Sequence, residues 1–190
     1  MAVEFKLDWD KALATITYLA SRNLPDLGKG KLCKLVLLAD KYHLVRFGRP
    51  ITGDLYYAIE NGPIPSAILE RLDALEDGRD AQLGALLALD RKYCYPRLSA
   101  RDVAGSENLS ESDKQALDHT IDQFGKMTWL ELRAITHEMP AYKKAWELRG
   151  HANRALIAYE DLFEEDDDAI AGVLEEMLET DIVNKVFQSL

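Results

Sequence analysis

The sequence predicts a mainly α fold: a compact multi-helix domain around a central buried helix, with a small antiparallel β element and an acidic C-terminal helix. Three observations predict it. Apolar residues recur at three- and four-residue steps through most of the 190 residues. Lys31 to Phe47 is apolar around most of its circumference, as a helix buried on all sides must be. Between Ile51 and Pro65 the period shifts, which marks the β element. At this length one domain buries its own core without disulfides or a structural metal.

The elements follow in order. Asp8 is placed to N-cap a first helix running to about Ser21, with Leu13, Ile16, Leu19 and Ala20 inward. Pro25 and Gly28-Lys29-Gly30 break it, the latter read as a flexible connection. The central helix then runs to Phe47 and ends at Gly48, Pro50 and Gly53. Leu55, Tyr56, Tyr57 and Ile59 suit a short strand, and Asn61 to Pro65, with two prolines, reads as a turn. Leu69, Leu72 and Leu75 mark a helix ended near Gly78, and Leu83, Leu86 and Leu87 a shorter one. Tyr93–Ser99 and Asp102–Gly105 have weak strand character and are expected to pair as a hairpin. Ser110 with Asp113 starts the next helix, which Gly125 stops, and Thr128 with Glu131 forms a capping-box pattern for another. Pro140 opens a last body helix that Gly150 closes. There is no internal repeat, and the expected division is a helical domain over 1–158 and an acidic amphipathic segment over 159–190.

The net charge of −10 is unevenly placed. Residues 155–184 hold eleven carboxylates and no Lys or Arg, so the remainder of the chain is close to neutral. A charge balance of this sign disfavours nucleic acid as a partner, because such domains carry a basic face. Ile170, Val173, Leu174, Met177, Leu178, Ile182, Val183, Val186, Phe187 and Leu190 form one apolar stripe with carboxylates opposite. That stripe is to be buried on this chain's own body or on a partner.

Signatures of catalysis are missing. His137-Glu138 begins like a zinc-protease helix, but Ala141 stands where the second His is needed. Gly28-Lys29-Gly30-Lys31 lacks the spacing and hydroxyl of a phosphate-binding loop. No Gly-x-Ser-x-Gly elbow is present, and neither Cys33 nor Cys94 has a nearby His in sequence to activate it. The two cysteines also exclude a disulfide framework and a Cys-rich zinc site. The reading is therefore a protein without a catalytic residue, cofactor or metal. Lys31, Lys34 and Lys41 would align on the second helix of a helix-turn-helix, the basis of an alternative DNA-binding autoregulator, but a recognition helix needs a polar face. Unbroken apolar runs such as Leu35–Ala39 fall far short of the ~18 residues of a membrane span. Met1–Phe5 does not read as a signal peptide, and a cytoplasmic protein is expected.

Several segments together resemble a known family. Lys31-Leu32-Cys33-Lys34-Leu35-Val36-Leu37-Leu38-Ala39-Asp40 is similar to the "KLqKLlYla" helix of the Panacea domain family, which includes SocA-like and GepA-like phage-associated proteins. Phe47 to Asp54 resembles the loop after that helix. Ala58 followed by Gly62-Pro63-Ile64 resembles the family's "A-x-x-x-G-P-V". Leu109-Ser110-Glu111 to Phe124-Gly125 and then Leu132 with Thr136-His137 look like its last two motifs, in the same order. The resemblance spans residues 9–147. Tyr142 stands where the family often has Trp, and Val36-Leu37-Leu38 lacks its usual Tyr.

The resemblance implies an antitoxin. Such domains neutralise a toxin encoded beside them, generally by direct protein contact, and SocA-like members act as adaptors delivering the toxin to a cytosolic protease. It also implies that Lys31, Leu32, Lys34, Leu35, Asp40, Gly62, Pro63, Thr136 and His137 are mostly structural. Gly62-Pro63 is expected to set a turn and His137 to tie a helix end. The acidic segment lies outside the match. Asp166, Asp167, Asp168, Met177, Ile182 and Phe187 are its candidate partner-interface residues, suited to a toxin with a basic active-site cleft.

Overall fold

In the computed structural model, residues 5–101 and 106–163 are described. Helix α1 spans Trp9–Ser21 and α2 spans Lys29–Phe47. Strands β1 (Tyr56–Ile59) and β2 (Gly62–Pro65) follow, then α3 (Ser66–Glu76), α4 (Ala81–Leu86), β3 (Leu87–Asp90) and β4 (Arg97–Ala100). Helices α5 (Glu111–Phe124), α6 (Trp129–Glu138) and α7 (Pro140–Leu148) precede a short β5 (Ala155–Ile157) and a 3-10 turn, Tyr159–Leu162. The fold is mainly α with a small antiparallel β component.

Helix α2 is the centre of the molecule. Every residue from Lys31 to Asp40 is buried. Leu32, Leu35 and Val36 join one apolar cluster with α1, α3 and α5, while Leu37 and Leu44 join a second with β1, β5 and α7. Full burial of such a side chain contributes about 1.5–3 kcal/mol. The helix starts two residues before its expected first residue, with Gly28 at the N-cap. Gly28-Lys29-Gly30 is therefore not a flexible connection. A Cβ on Gly30 would lie 2.7 Å from Trp129 Nε1, so the missing side chain lets α6 approach. Lys29 Nζ reaches Asp73 and Glu76, each at 2.6 Å, and ties this first turn to α3.

Local signals place most helix ends. Asp8 accepts from Lys11 N, and complete capping boxes pair Ser110 with Asp113 and Thr128 with Glu131. Gly125 ends α5 without a left-handed turn, at φ −60°. A Cβ there would stand 2.5 Å from the Ile121 carbonyl oxygen and 3.0 Å from Leu24 Cδ2, so crowding explains the glycine.

The β elements depart from expectation. Residues 62–65 form a strand despite Pro63 and Pro65. Ser66 N donates to Leu55 O at 2.9 Å, and β1–β2 register pairs Ala58 with Pro63 and Tyr56 with Pro65. Both prolines thus occupy the alternate positions whose nitrogens face away from β1, on an edge strand, where no donor is required. The second hairpin pairs Leu87–Asp90 with Arg97–Ala100, not 93–99 with 102–105, and Leu87 is a strand residue. The stretch 102–105 lies outside the described residues.

The sheet order is β2-β1-β5, with Tyr56 opposite Ile157 and Tyr57 opposite Leu156. Nothing in the local pattern of Ala155-Leu156-Ile157 announces a strand. Tyr159, Leu162 and Phe163 continue beyond it as buried members of the second cluster. Among the described residues, no helix is long and apolar enough to cross a membrane.

Candidate functional site

The motif residues of α2 make their contacts inside the molecule. Lys31 Nζ donates to the Pro25 and Gly125 carbonyls at 2.6 and 2.8 Å, joining the α1–α2 connection to the end of α5. Leu32 and Leu35 are core residues with no exposed surface. Lys34 Nζ donates to the Pro63 carbonyl at 2.8 Å. Burial, with a smaller push from the Arg133 charge, lowers the Lys34 ammonium to about 7. Lys31 and Lys34 are each 1 % exposed, so neither lies on a surface that DNA could reach.

Asp40 organises the loop after α2. Its carboxylate accepts from Ile51 N and Thr52 N, each at 3.0 Å, from Thr52 Oγ1 at 2.5 Å and from Tyr56 Oη at 2.8 Å. Complete burial outweighs these four bonds and raises the carboxyl to about 6. Fourteen residues on, Asp54 accepts from Ala67 N and Ile68 N and so caps α3, whose N-cap residue Pro65 has no side-chain acceptor.

Gly62, Lys34 and His137 meet at the β1–β2 turn. Gly62 has φ +92°, and a Cβ on it would stand 2.6 Å from Lys34 Nζ and 2.7 Å from His137 Cδ2. His137 lies one residue before the end of α6, yet its contacts run to this turn and to Tyr142, at 4.6 Å between ring centroids. Burial, then the Arg133 and Lys34 charges, lowers its pKa, while a hydrogen bond at the Asn61 backbone opposes the shift. Its Nε2 and the Arg133 Nε are buried without a hydrogen-bond partner among the described residues. Beside it, Thr136 Oγ1 bonds back to the Leu132 carbonyl at 2.9 Å. Tyr142, at the position where the family often has Trp, donates to the Ile59 carbonyl at 3.0 Å and closes the cluster.

A second polar centre was not singled out from the sequence. Asp113 is fully buried and contacts Lys11 Nζ at 2.8 Å, Arg49 Nη2 at 2.9 Å and His43 Nε2 at 3.1 Å. His43 Nδ1 lies 2.6 Å from the Arg49 carbonyl. Despite its burial, hydrogen bonds from His43, Lys11 and Ser110 hold the Asp113 carboxyl far below the usual range. Asp113 was visible as the third residue of a capping box; its partners, 64 and 102 residues away, were not.

Cys33 is fully buried, and its thiol is pushed up to about 12, so it stays protonated. Among the described residues no three His, Cys, Asp or Glu side chains are placed to hold a metal ion. The candidate interface residues Asp166, Asp167, Asp168, Met177, Ile182 and Phe187 lie outside the described residues.

No curated protein and no solved structure matches the chain. A family model does: "Antitoxin SocA-like, Panacea domain" matches residues 32–147, more than half of the sequence. The matched span begins in α2 and ends in α7, and it includes Lys34, Asp40, Gly62, Pro63, Thr136 and His137. By this match the chain belongs to the Panacea-domain family of SocA-like antitoxins.

Proposed function

We propose that this chain neutralises a cognate toxin by direct protein–protein contact, and that its C-terminal segment supplies part of the interface. The observation that carries the reading is the family match over residues 32–147. The contacts of the motif residues support it: Lys31, Lys34, Asp40 and Thr136 all bond to groups of their own chain. A domain whose shared residues hold the fold leaves partner choice to parts that differ.

The acidic segment lies beyond the matched span. Asp166, Asp167 and Asp168 would meet basic residues in a toxin cleft that handles nucleotides or RNA. Met177, Ile182 and Phe187 would supply the apolar anchor. Delivery of the bound toxin to a cytosolic protease is a further step consistent with SocA-like relatives.

The test is growth of cells expressing each neighbouring reading frame, with and without this chain. Rescue from a toxic neighbour is expected. A chain ending after Phe163 keeps Tyr159, Leu162 and Phe163 in the core, and should fold by circular dichroism yet fail to rescue. Undiminished rescue by that shortened chain would remove the segment from the interface. If no neighbour is toxic, the antitoxin reading fails for this chain.

A further inference from the structure

The three-stranded sheet is apolar on both faces. Tyr56, Ala58 and Ile157 point into the second core cluster. On the opposite face Tyr57 stands across from Leu156, with Leu55 two residues before it. Leu55 is 45 % exposed and Leu156 53 %. With Phe5, Leu7 and Tyr159 they line the apolar side of an open groove of about 490 Å³, whose other side carries Asp54, Ser66 and Glu70. A one-sided antiparallel sheet normally turns polar residues to water, so this face asks for a cover.

We infer that this groove is the docking site for the chain's own residues 170–190. Tyr159 is part of the groove wall, and the described chain ends four residues later at Phe163. Six residues, 164–169, separate that point from Ile170, the first residue of the apolar stripe. Extended, they reach about 20 Å. A tether of that length gives an effective concentration on the order of millimolar, far above that of a second copy in solution. The stripe brings ten apolar residues, from Ile170 to Leu190, on the stretch of chain that follows the groove wall.

The charge beside the groove is mixed: Arg154 stacks on Tyr57 at 4.6 Å, while Asp54 and Glu70 belong to the lining. Arg154 has no carboxylate partner among the described residues. The segment brings nine carboxylates between Glu164 and Asp181. The inference concerns the free chain and stands whether or not a toxin uses the same segment. A partner that takes the stripe must first release it from the groove, and its apparent affinity is lowered by the fraction of chains in the docked state.

The experiment places the photoreactive residue p-benzoylphenylalanine at Leu156 in the full chain. Isotopically light and heavy chains are mixed, irradiated at low micromolar concentration, and the adducts mapped by mass spectrometry. Adducts to peptides from 164–190 are expected, light with light and heavy with heavy. The same probe at Leu130 on α6, itself 67 % exposed, should give none. The double substitution Ile182→Asp/Phe187→Asp should cut the Leu156 adduct at least about fivefold while the circular dichroism spectrum of the body is kept. Mixed light–heavy adducts would assign the groove to a second copy and overturn the inference. So would the absence of adducts, or adducts equal at Leu156 and Leu130.

Discussion

Lys34 Nζ lies 2.8 Å from the carbonyl oxygen of Pro63, a buried contact that fastens the central helix to a hairpin 29 residues later. The contact places a cation where water cannot reach it, and four predictions start from this and the neighbouring buried groups.

The depressed pKa of Lys34 makes stability depend on alkaline pH. Its folded value is about 7 against 10.5 for a free lysine, so the unfolded chain binds more protons between those limits. Folding therefore becomes more favourable as pH rises through that window, by on the order of 1 kcal/mol per unit at most. Urea midpoints at pH 7 and pH 9 should show this gain in the native chain. Lys34→Met, which keeps the volume without the charge, should not show it.

Asp40 should reveal its role through the contrast of two substitutions. Asp40→Ala strands Ile51 N, Thr52 N and the Tyr56 hydroxyl inside the protein, at about 1–3 kcal/mol for each lost partner. Asp40→Asn keeps an oxygen for the two amides and removes a buried charge. Denaturant titration at pH 7 should find Asp40→Asn much the milder, and equal losses would mean the hydrogen bonds matter little.

Gly62→Ala and Gly78→Ala separate backbone strain from overlap. Both glycines have positive φ, +92° and +72°, but nothing lies within 4 Å of a Cβ on Gly78. Strain alone costs about 1–2 kcal/mol. Gly62→Ala should cost more by displacing Lys34 and His137, and its thermal midpoint should fall further than that of Gly78→Ala.

Asp113 predicts acid sensitivity. Its carboxyl is held far below its unfolded value of about 3.9, so its contribution is present above that pH and is lost as pH falls below it. Acid titration followed by circular dichroism should show a steeper loss in the native chain than in Asp113→Asn. That variant should be less stable at pH 7, because Lys11, His43 and Arg49 then face a neutral amide.

What could be read from the sequence was what depends on neighbours in the chain. Helix α2 announced itself because apolar residues surround it, and the Ser110–Asp113 and Thr128–Glu131 boxes because each lies within four residues. Strand β5 did not, since Ala155-Leu156-Ile157 becomes a strand only against Tyr56-Tyr57-Ala58, about a hundred residues earlier. Pro63 and Pro65 suggested a turn because their tolerance rests on the sheet's edge, a tertiary fact. The motif lysines were legible as a pattern and not as contacts: that Lys31 and Lys34 serve carbonyls of two different loops follows from folding alone.

The late position of β5 also sets a clock on biosynthesis. Strand β1 leaves the ribosome with its β2 partner close behind, but its other edge stays open until Ala155–Ile157 has been made. At 5–20 residues per second the wait is about 5–20 s. A chain cut short by a broken message would keep that edge unpaired, together with the aromatic seat of Tyr159 on the Asp54 carbonyl. Such fragments offer a sticky strand to each other and to quality-control proteases, so the edge is sealed only in chains that extend through Ile157.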